Sequence, residues 1–236
     1  MAWRQMASRP EAQKNGKFKE IVPVEACRFK EKNGITVKET FIQDFDDGVR
    51  PTTMEGLTKL RPAFAAMGSV TAGNSSQTTD GSGATLIMSG EAVKKFGVKP
   101  IAKFRAYVVA GCRSDEMGVG PAYAIPKVLK VAGLGKATDI KDNAIFEINE
   151  AFASQAIYSL QQIGLYDEKY YSHESDQRIV NVNGGAIALG HPLGCTGAKL
   201  CAQLMTEMQA RGKKYGIESM CIGGGMGAAA LFELCD

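Results

Sequence analysis

Residues 144–164 read Ala-Ile-Phe-Glu-Ile-Asn-Glu-Ala-Phe-Ala-Ser-Gln-Ala-Ile-Tyr-Ser-Leu-Gln-Gln-Ile-Gly and show how the second half of the chain is built. Residues 144–148 form a short, mostly apolar run, which is typical of a buried strand. Residues 151–163 favour a helix, and Gly164 is a common residue for ending one. A strand that leads directly into a helix is the unit from which α/β folds are assembled.

The same alternation extends from about residue 98 to the C-terminus. Apolar residues alternate with polar ones over 104–110, as on a strand, and a helical face follows behind Pro121. Further strands are predicted at 180–182, 217–222 and 228–234, with a helix over 201–208 that Gly212 ends. We therefore predict a layered α/β domain with helices on both faces of one sheet.

The first 97 residues are less regular. The pattern predicts a short helix over 10–18, a strand over 35–45, and loops over 46–83 around a short helix at 54–60. A short buried strand is predicted at 84–88. Ser89 then caps a helix that Gly97 ends.

Length and composition exclude several classes of protein. The 236 residues are 44% hydrophobic and 22% charged, as in ordinary folded proteins. No apolar run reaches the roughly 18 residues of a membrane span, and the first ten residues lack the apolar core of a signal peptide. A net charge of +3 is too small for a nucleic-acid-binding surface. We expect a protein without a membrane span, located in the cytoplasm.

The six cysteines do not suggest a metal site or a disulfide framework. They form no Cys-x-x-Cys pair, and only two histidines accompany them. Without a secretory signal, free thiols in a reducing compartment are expected. The sequence therefore predicts no metal.

Glycine is concentrated in residues 181–199, Asn-Val-Asn-Gly-Gly-Ala-Ile-Ala-Leu-Gly-His-Pro-Leu-Gly-Cys-Thr-Gly-Ala-Lys. Glycines let the backbone approach a ligand closely. The segment does not fit the phosphate-binding P-loop pattern. The glycines at 223–227 resemble a dinucleotide fingerprint, but the chain leaves no room after them for the required βαβ unit.

Three polar residues stand at predicted corners of the sheet. Asn149 follows a strand, His191 lies in a Gly-His-Pro corner before a helix, and Cys221 ends a strand. Each has a structural alternative: a helix cap, a hydrogen-bonded histidine and a buried thiol. Because open α/β sheets bind ligands beside such corners, a shared site is the better interpretation.

Taken together, these stretches resemble the thiolases, acetyl-CoA C-acyltransferases that cleave 3-ketoacyl-CoA or, in reverse, condense two acyl-CoAs. The motifs that carry the resemblance are Asn149-Glu-Ala-Phe152, Gly190-His-Pro192 and Cys221-Ile-Gly223. Residues 50–55 and 70–77 are also similar to the family. The resemblance implies a thiolase-like α/β/α fold, with one complete half-domain (98–236) and the end of the first half with its loop region (1–97).

The resemblance also implies roles for individual residues. His191 would activate the nucleophilic cysteine and contribute to an oxyanion hole, which Asn149 would complete through a water. Cys221 would be the general acid and base. The Gly223 N–H would help to form a second oxyanion hole.

A second set of residues matches positions that line the path of coenzyme A: Ser76, Phe64, Phe152 and Arg50. The family binds coenzyme A thioesters as substrates and has no bound cofactor. Acyl-CoA and CoA are thus the implied small-molecule partners.

One departure from the family concerns the acyl-accepting cysteine. Family members carry it in a Cys-x-Ser context in the N-terminal half, which this sequence lacks. The single Cys-x-Ser here, Cys112-Arg113-Ser114, aligns with a non-catalytic part of the family. The expected partner is therefore a second copy, in a homo-oligomer, or a chain that supplies the N-terminal half, because the isolated half would expose apolar surface.

Two other functions are weighed against acyl transfer. In the first alternative, the chain is a non-catalytic CoA-binding or interaction subunit with the thiolase second-half fold. Alternatively, Cys221 and His191 would form a simple cysteine hydrolase. Mutation of His191 and Cys221 distinguishes these hypotheses. Loss of activity would favour the two catalytic functions over the interaction role.

Overall fold

The computed structural model describes residues 12–172 and 174–235. Its strands are β1 (Val24–Lys32), β2 (Ile35–Gln43), β3 (Ala102–Gly111), β4 (Ala144–Ile148), β5 (Tyr215–Ile222) and β6 (Met226–Leu234). Its α-helices are α1 (Met54–Thr58), α2 (Gly90–Phe96), α3 (Gly120–Val131), α4 (Ala137–Ile140), α5 (Ala153–Gln162), α6 (Glu168–Tyr171), α7 (Ala186–Leu189) and α8 (Thr196–Arg211). Short 3₁₀ turns lie at Ala72–Asn74, Ser114–Val119 and Lys141–Asn143.

Four strands form the central sheet in the order β3-β6-β5-β4. β6 runs antiparallel to both of its neighbours, whereas β4 and β5 are parallel. Beyond β4 the sheet is extended by one parallel bridge between Phe146 and Val180. The predicted strand over 180–182 is thus reduced to a single bridge, because the chain turns at Asn181, which adopts a positive φ of 45°.

Helices cover both faces of this sheet, as predicted. The inward side chains of β3, Ala106, Val108 and Ala110, pack in one core with α3 and α5. On the opposite face, Leu204 and Met208 of α8 pack against the sheet in a second core. Apolar burial on two faces explains why β4 is buried along its whole length.

The predicted helix boundaries of residues 84–133 agree with the structure. The Ser89 side chain accepts a hydrogen bond from Ala92 N (3.1 Å), and Gly97 ends α2 with a φ of 63°. Gly133, with a φ of 72°, follows α3. Among the described helices, none has both the length and the apolar character needed to cross a membrane.

The strand predicted at residues 84–88 is wrong. The segment forms no ladder and belongs to no strand, and Leu86 and Ile87 are 82% and 85% exposed. Its apolar residues indicated a buried strand, but no strand in the described part of the chain lies beside it to pair with. A strand without a partner leaves its backbone groups to water.

The N-terminal region contains an exposed hairpin. β1 and β2 pair antiparallel around Asn33 and Gly34, whose φ values of 52° and 77° are those of a type I′ turn. The strand predicted over 35–45 is confirmed as β2, whereas β1 had not been predicted. Of the helix predicted over 10–18, residues 12–14 are helical, and its first residues lie outside the described part.

Candidate active site

Asn149 lies where β4 ends and the chain turns toward α5. Its backbone N–H donates to Ser219 O on β5 (2.9 Å), so the parallel pairing of β4 and β5 fixes the position of the residue. The side chain is 1% exposed. Asn149 is therefore held at the carboxyl end of the sheet, where open α/β folds bind their ligands.

His191 reaches the same point from a different part of the chain. It follows Gly190, whose φ of 89° is unfavourable for other residues and whose added Cβ would overlap the Thr79 side chain. Asn149 Nδ2 lies 3.3 Å from His191 Nε2, and His191 Nδ1 lies 2.6 Å from Thr196 Oγ1. The structure thus brings the amide and the imidazole into contact, as the sequence led us to expect.

The surroundings of His191 favour the neutral imidazole. Burial lowers the pKa of the ring, and the ammonium group of Lys199 lowers it further. Lys199 Nζ also donates to Gly190 O (3.2 Å), which places its charge close to the ring. An imidazole kept neutral retains a lone pair and can act as a base.

Cys221 lies on the neighbouring strand, β5. It stands two residues beyond Ser219, which is paired with Ile148, so it is displaced by roughly 7 Å along the sheet from the end of β4. Burial raises the pKa of the half-buried thiol, and the nearby Cys112 adds to this rise. In the described part of the chain, no hydrogen bond joins Cys221 to Asn149 or His191.

Gly223 begins the turn that connects β5 to β6. The following Gly224 and Gly225 have φ values of 88° and 96°, and the turn is held by Ser114 Oγ, which donates to Gly224 O (3.1 Å). A Cβ built on Gly223 would meet no atom within 4 Å. The backbone at Gly223 therefore faces open space that a ligand could occupy.

Three of the four predicted coenzyme A residues lie together. Ser76 N donates to Ala151 O (2.9 Å), and the neighbouring Ser75 forms a bridge with Phe152. Phe64 contacts Phe152 edge to face, with ring centroids 6.3 Å apart, and is 78% exposed. These residues form a partly exposed surface with two aromatic rings beside the Asn149 corner.

The fourth residue, Arg50, is exposed. Its segment connects to this region through the backbone of Gly48, two residues earlier. Gly48 O accepts a hydrogen bond from Gln77 Nε2 (2.8 Å). Gln77 in turn contacts the histidine segment, since His191 N donates to Gln77 O (3.3 Å). Gln77 therefore ties the segment of Arg50 to the site.

A cleft of about 420 Å³ opens beside His191. It is lined by two loops, residues 79–83 and 192–195. No group of three or more His, Cys, Asp or Glu that could hold a metal occurs among residues 12–172 and 174–235.

Two buried residues behind the site had not been identified from the sequence. Asn181 Nδ2 donates to Ile148 O (2.9 Å) and Glu150 Oε1 (2.6 Å), and Asn181 Oδ1 accepts from Ile148 N (2.8 Å). Burial raises the pKa of Glu150 to about 7, although the bond from Asn181 opposes this. Asn181 belongs to the glycine-rich stretch, and its position beside those glycines was the only available signal.

Comparison with known proteins agrees with this geometry. The family description "Thiolase, C-terminal domain" matches residues 98–234, and "Thiolase, N-terminal domain" matches residues 1–91. The chain belongs to the thiolase family. The fold and the resemblance predicted from the sequence are thereby confirmed.

Individual thiolases are similar over nearly the whole chain. The 3-ketoacyl-CoA thiolase of Bacillus subtilis is 50% identical over 223 residues, which are 93% of this chain and 54% of that protein. The peroxisomal 3-ketoacyl-CoA thiolase of Homo sapiens is 49% identical over 236 residues, covering 99% and 51%. This chain therefore spans about half the length of these thiolases.

Solved thiolase structures have the same fold. The acetyl-CoA acetyltransferase of Bacillus anthracis matches with a TM-score of 0.82 at 37% identity, covering 99% of this chain and 54% of that one. Human mitochondrial 3-ketoacyl-CoA thiolase in complex with CoA and the dimeric peroxisomal thiolase of Saccharomyces cerevisiae match with TM-scores of 0.78 and 0.77, at 36% identity each.

Proposed function

We propose that this thiolase chain serves thiolase-type acyl transfer, the thiolytic cleavage of 3-ketoacyl-CoA or the reverse condensation of two acyl-CoAs. The observation that carries the proposal is the contact between Asn149 Nδ2 and His191 Nε2 at the carboxyl end of the sheet. The neutral imidazole and the protonated Cys221 thiol are the groups that such a reaction needs.

In cleavage, an acyl-accepting thiolate attacks the 3-keto carbon, and His191 takes up the proton of that thiol. The C2–C3 bond then breaks, and its electron pair passes to C2 of the departing acetyl-CoA. Cys221 protonates that carbon. The acyl group stays on the accepting sulfur as a thioester until the thiol of a CoA molecule takes it over.

Oxyanions develop at two carbonyl oxygens during these steps. Asn149 and His191, with a water bound to the amide, would stabilise one of them, and the Gly223 N–H would stabilise the other. Donors aimed at a developing oxyanion contribute most where water is excluded. The burial of Asn149 supports this role.

Coenzyme A thioesters are the proposed substrates. Ser76, Phe64 and Phe152 form the surface along which the pantetheine would lie, and Arg50 would contact the nucleotide end. The exposed ring of Phe64 and the partly buried ring of Phe152 offer apolar contact to such a chain. No metal and no bound cofactor takes part in the proposed reaction.

The acyl-accepting cysteine is proposed to come from a further thiolase segment, supplied by a chain that carries the N-terminal half. Burial and the neighbouring Glu116 raise the pKa of Cys112, which makes it a poor nucleophile. A homo-oligomer is also proposed, since the similar yeast enzyme is dimeric. We assign residues 1–97 to the end of the N-terminal half and 98–236 to the C-terminal domain.

A cytoplasmic location stays a prediction. The similar human protein is named peroxisomal, and another comes from a bacterium. Microscopy of a fluorescent fusion in the source cells would decide between the cytoplasm and an organelle.

Acetyl labelling tests the proposed activity. The chain is incubated with labelled acetoacetyl-CoA, alone and with a supplied thiolase N-terminal half, and covalent label is measured. We expect label only in the mixture, on the cysteine of the added half. Cys112→Ser should leave labelling unchanged. Robust thiolysis by this chain alone would contradict the proposal.

The same assay separates enzyme from interaction subunit. His191→Asn and Cys221→Ala should each abolish turnover of the mixture, with the fold checked by circular dichroism. Activity that is insensitive to both substitutions would instead assign the chain a non-catalytic, CoA-binding or interaction role.

A further inference from the structure

Thr196 is the first residue of α8 and contacts the imidazole of His191 on the side away from Asn149. It is 1% exposed, and its Oγ1 lies 2.6 Å from His191 Nδ1. The same hydroxyl donates to Pro192 O (3.1 Å), one turn earlier in the chain. Among the described residues, the polar contacts of this hydroxyl are thus made with the Gly-His-Pro corner.

The hydrogen-bond partners of the two ring nitrogens favour one tautomer of His191. A threonine hydroxyl has one proton, and here it goes to the Pro192 carbonyl. With that proton on the Pro192 side, the oxygen accepts from the ring, which favours Nδ1 as the carrier of the imidazole proton. With the Asn149 amide oriented as in the structure, the other tautomer would place an Nε2–H against its N–H₂, two donors 3.3 Å apart.

We propose that Thr196 is a positioning residue whose hydroxyl accepts the Nδ1 proton of His191 and so keeps the Nε2 lone pair facing Asn149. In this arrangement the ring takes up a proton only at Nε2, and the imidazolium that forms keeps Thr196 Oγ1 as the acceptor of its Nδ1 proton while it no longer accepts from Asn149. The role of the Nε2 lone pair as a base rests on the proposed acyl transfer. The tautomer itself does not depend on that proposal.

Only two histidines occur in the sequence, so nuclear magnetic resonance can read the tautomer directly. Histidine-selective ¹⁵N labelling of the full chain with His173→Gln leaves one imidazole, that of His191. At a pH above its titration, long-range ¹H–¹⁵N correlation should show the Nδ1–H form alone. An Nε2–H form, or an equal mixture of the two, would overturn the proposal.

Two substitutions then test the hydroxyl itself. Thr196→Ser keeps the acceptor and should keep the Nδ1–H tautomer. Thr196→Val keeps the shape, removes the acceptor, and should give a mixture of tautomers and a lower His191 pKa, by roughly 0.5–1 pH unit, since the imidazolium loses one partner. A Val variant with the wild-type tautomer and titration would refute the role of Thr196. If the Val variant does not fold, the proposal is tested by the tautomer of wild-type His191 alone, because an Nε2–H form there would still refute it.

A kinetic readout separates this inference from the proposed function. With a supplied N-terminal half, Thr196→Val should lower kcat by roughly tenfold with little change in KM, and Thr196→Ser should restore it. Absence of acyl transfer in all variants, with the Nδ1–H form still present, would refute the proposed function and leave the assignment of Thr196 standing.

Discussion

Asn149 and His191 meet although they are 42 residues apart in the sequence, because each is fixed by its own backbone. Asn149 is held by the pairing of β4 with β5, and His191 by a glycine at a positive φ. The backbone features that fix the two positions do not involve the side chains of Asn149 and His191. Substitutions of these side chains should therefore report on chemistry rather than on folding.

Asn149→Ala is the direct test at this scale. It removes the amide from the proposed oxyanion site but keeps the backbone bond to Ser219 O. Loss of one such donor should lower kcat of the assembled enzyme by about 10²–10³. Asn143→Ala, at an exposed position, is the matched control and should retain the wild-type rate. Equal kcat values for the two variants would contradict the role of Asn149.

Glu150 should make stability depend on pH. Its pKa is raised from 4.5 to about 7 by burial, so the folded state keeps a proton that the unfolded state releases above pH 4.5. The favourable contribution is complete below pH 4.5 and is lost as the pH rises through 7, by an amount on the order of 3 kcal/mol.

Glu150→Gln removes this titration while keeping an acceptor for Asn181. The difference in unfolding free energy between wild type and variant, from urea denaturation at several pH values, should fall between pH 4.5 and 7. Glu91→Gln, at an exposed glutamate, controls for the loss of one charge. A pH-independent difference for Glu150→Gln would contradict the assignment.

At the level of single residues, the sequence predicted groups that follow a recognisable motif. Asn149 and His191 were expected to converge, and they do. Thr196, Asn181 and Glu150 were missed because their contacts are long-range or hidden within a turn, and no spacing in the sequence reveals them. The roles of Cys221 and Gly223 remain predictions.

Helix α3 and strand β6 approach each other through two glycines. A Cβ on Gly227 would overlap the backbone of Gly120, the first residue of α3. Gly227→Ala should therefore lower the free energy of unfolding by about 2–3 kcal/mol, since neither backbone can move without disturbing the sheet. Urea denaturation measures the change.

Gly111→Ala is the matched control, because a Cβ at Gly111 would meet no atom within 4 Å. Its unfolding free energy should stay within about 0.5 kcal/mol of wild type. Equal losses in the two variants would show that the cost is one of strand backbone flexibility, and not of close packing between α3 and β6.

Elements with strong local signals were predicted well, and those that depend on distant partners were not. α5 and α8 are each ended by a glycine, β4 is a short apolar run, and all three form where expected. The run at 84–88 has the composition of a strand but lacks a neighbour in the described residues. β1 was missed even though Asn33-Gly34 is a strong local signal for a hairpin.

At the level of the whole molecule, the segment 84–88 is the clearest apolar surface that lacks a cover in the described part of the chain. Leu86 and Ile87 are 82% and 85% exposed, in a segment without secondary structure. Exposed apolar segments tend to associate with other chains. We therefore expect the chain to self-associate through this segment when it is studied alone.

Leu86→Ser combined with Ile87→Ser should reduce this association, which sedimentation velocity measures as a shift toward the monomer at a given concentration. Met67→Ser, at a residue 98% exposed in a loop, is the control and should leave the distribution unchanged. A supplied N-terminal half should compete with self-association if it covers the same segment. Association that is insensitive to both substitutions would instead place the contact elsewhere, with the edge strand β3 as the next surface to test.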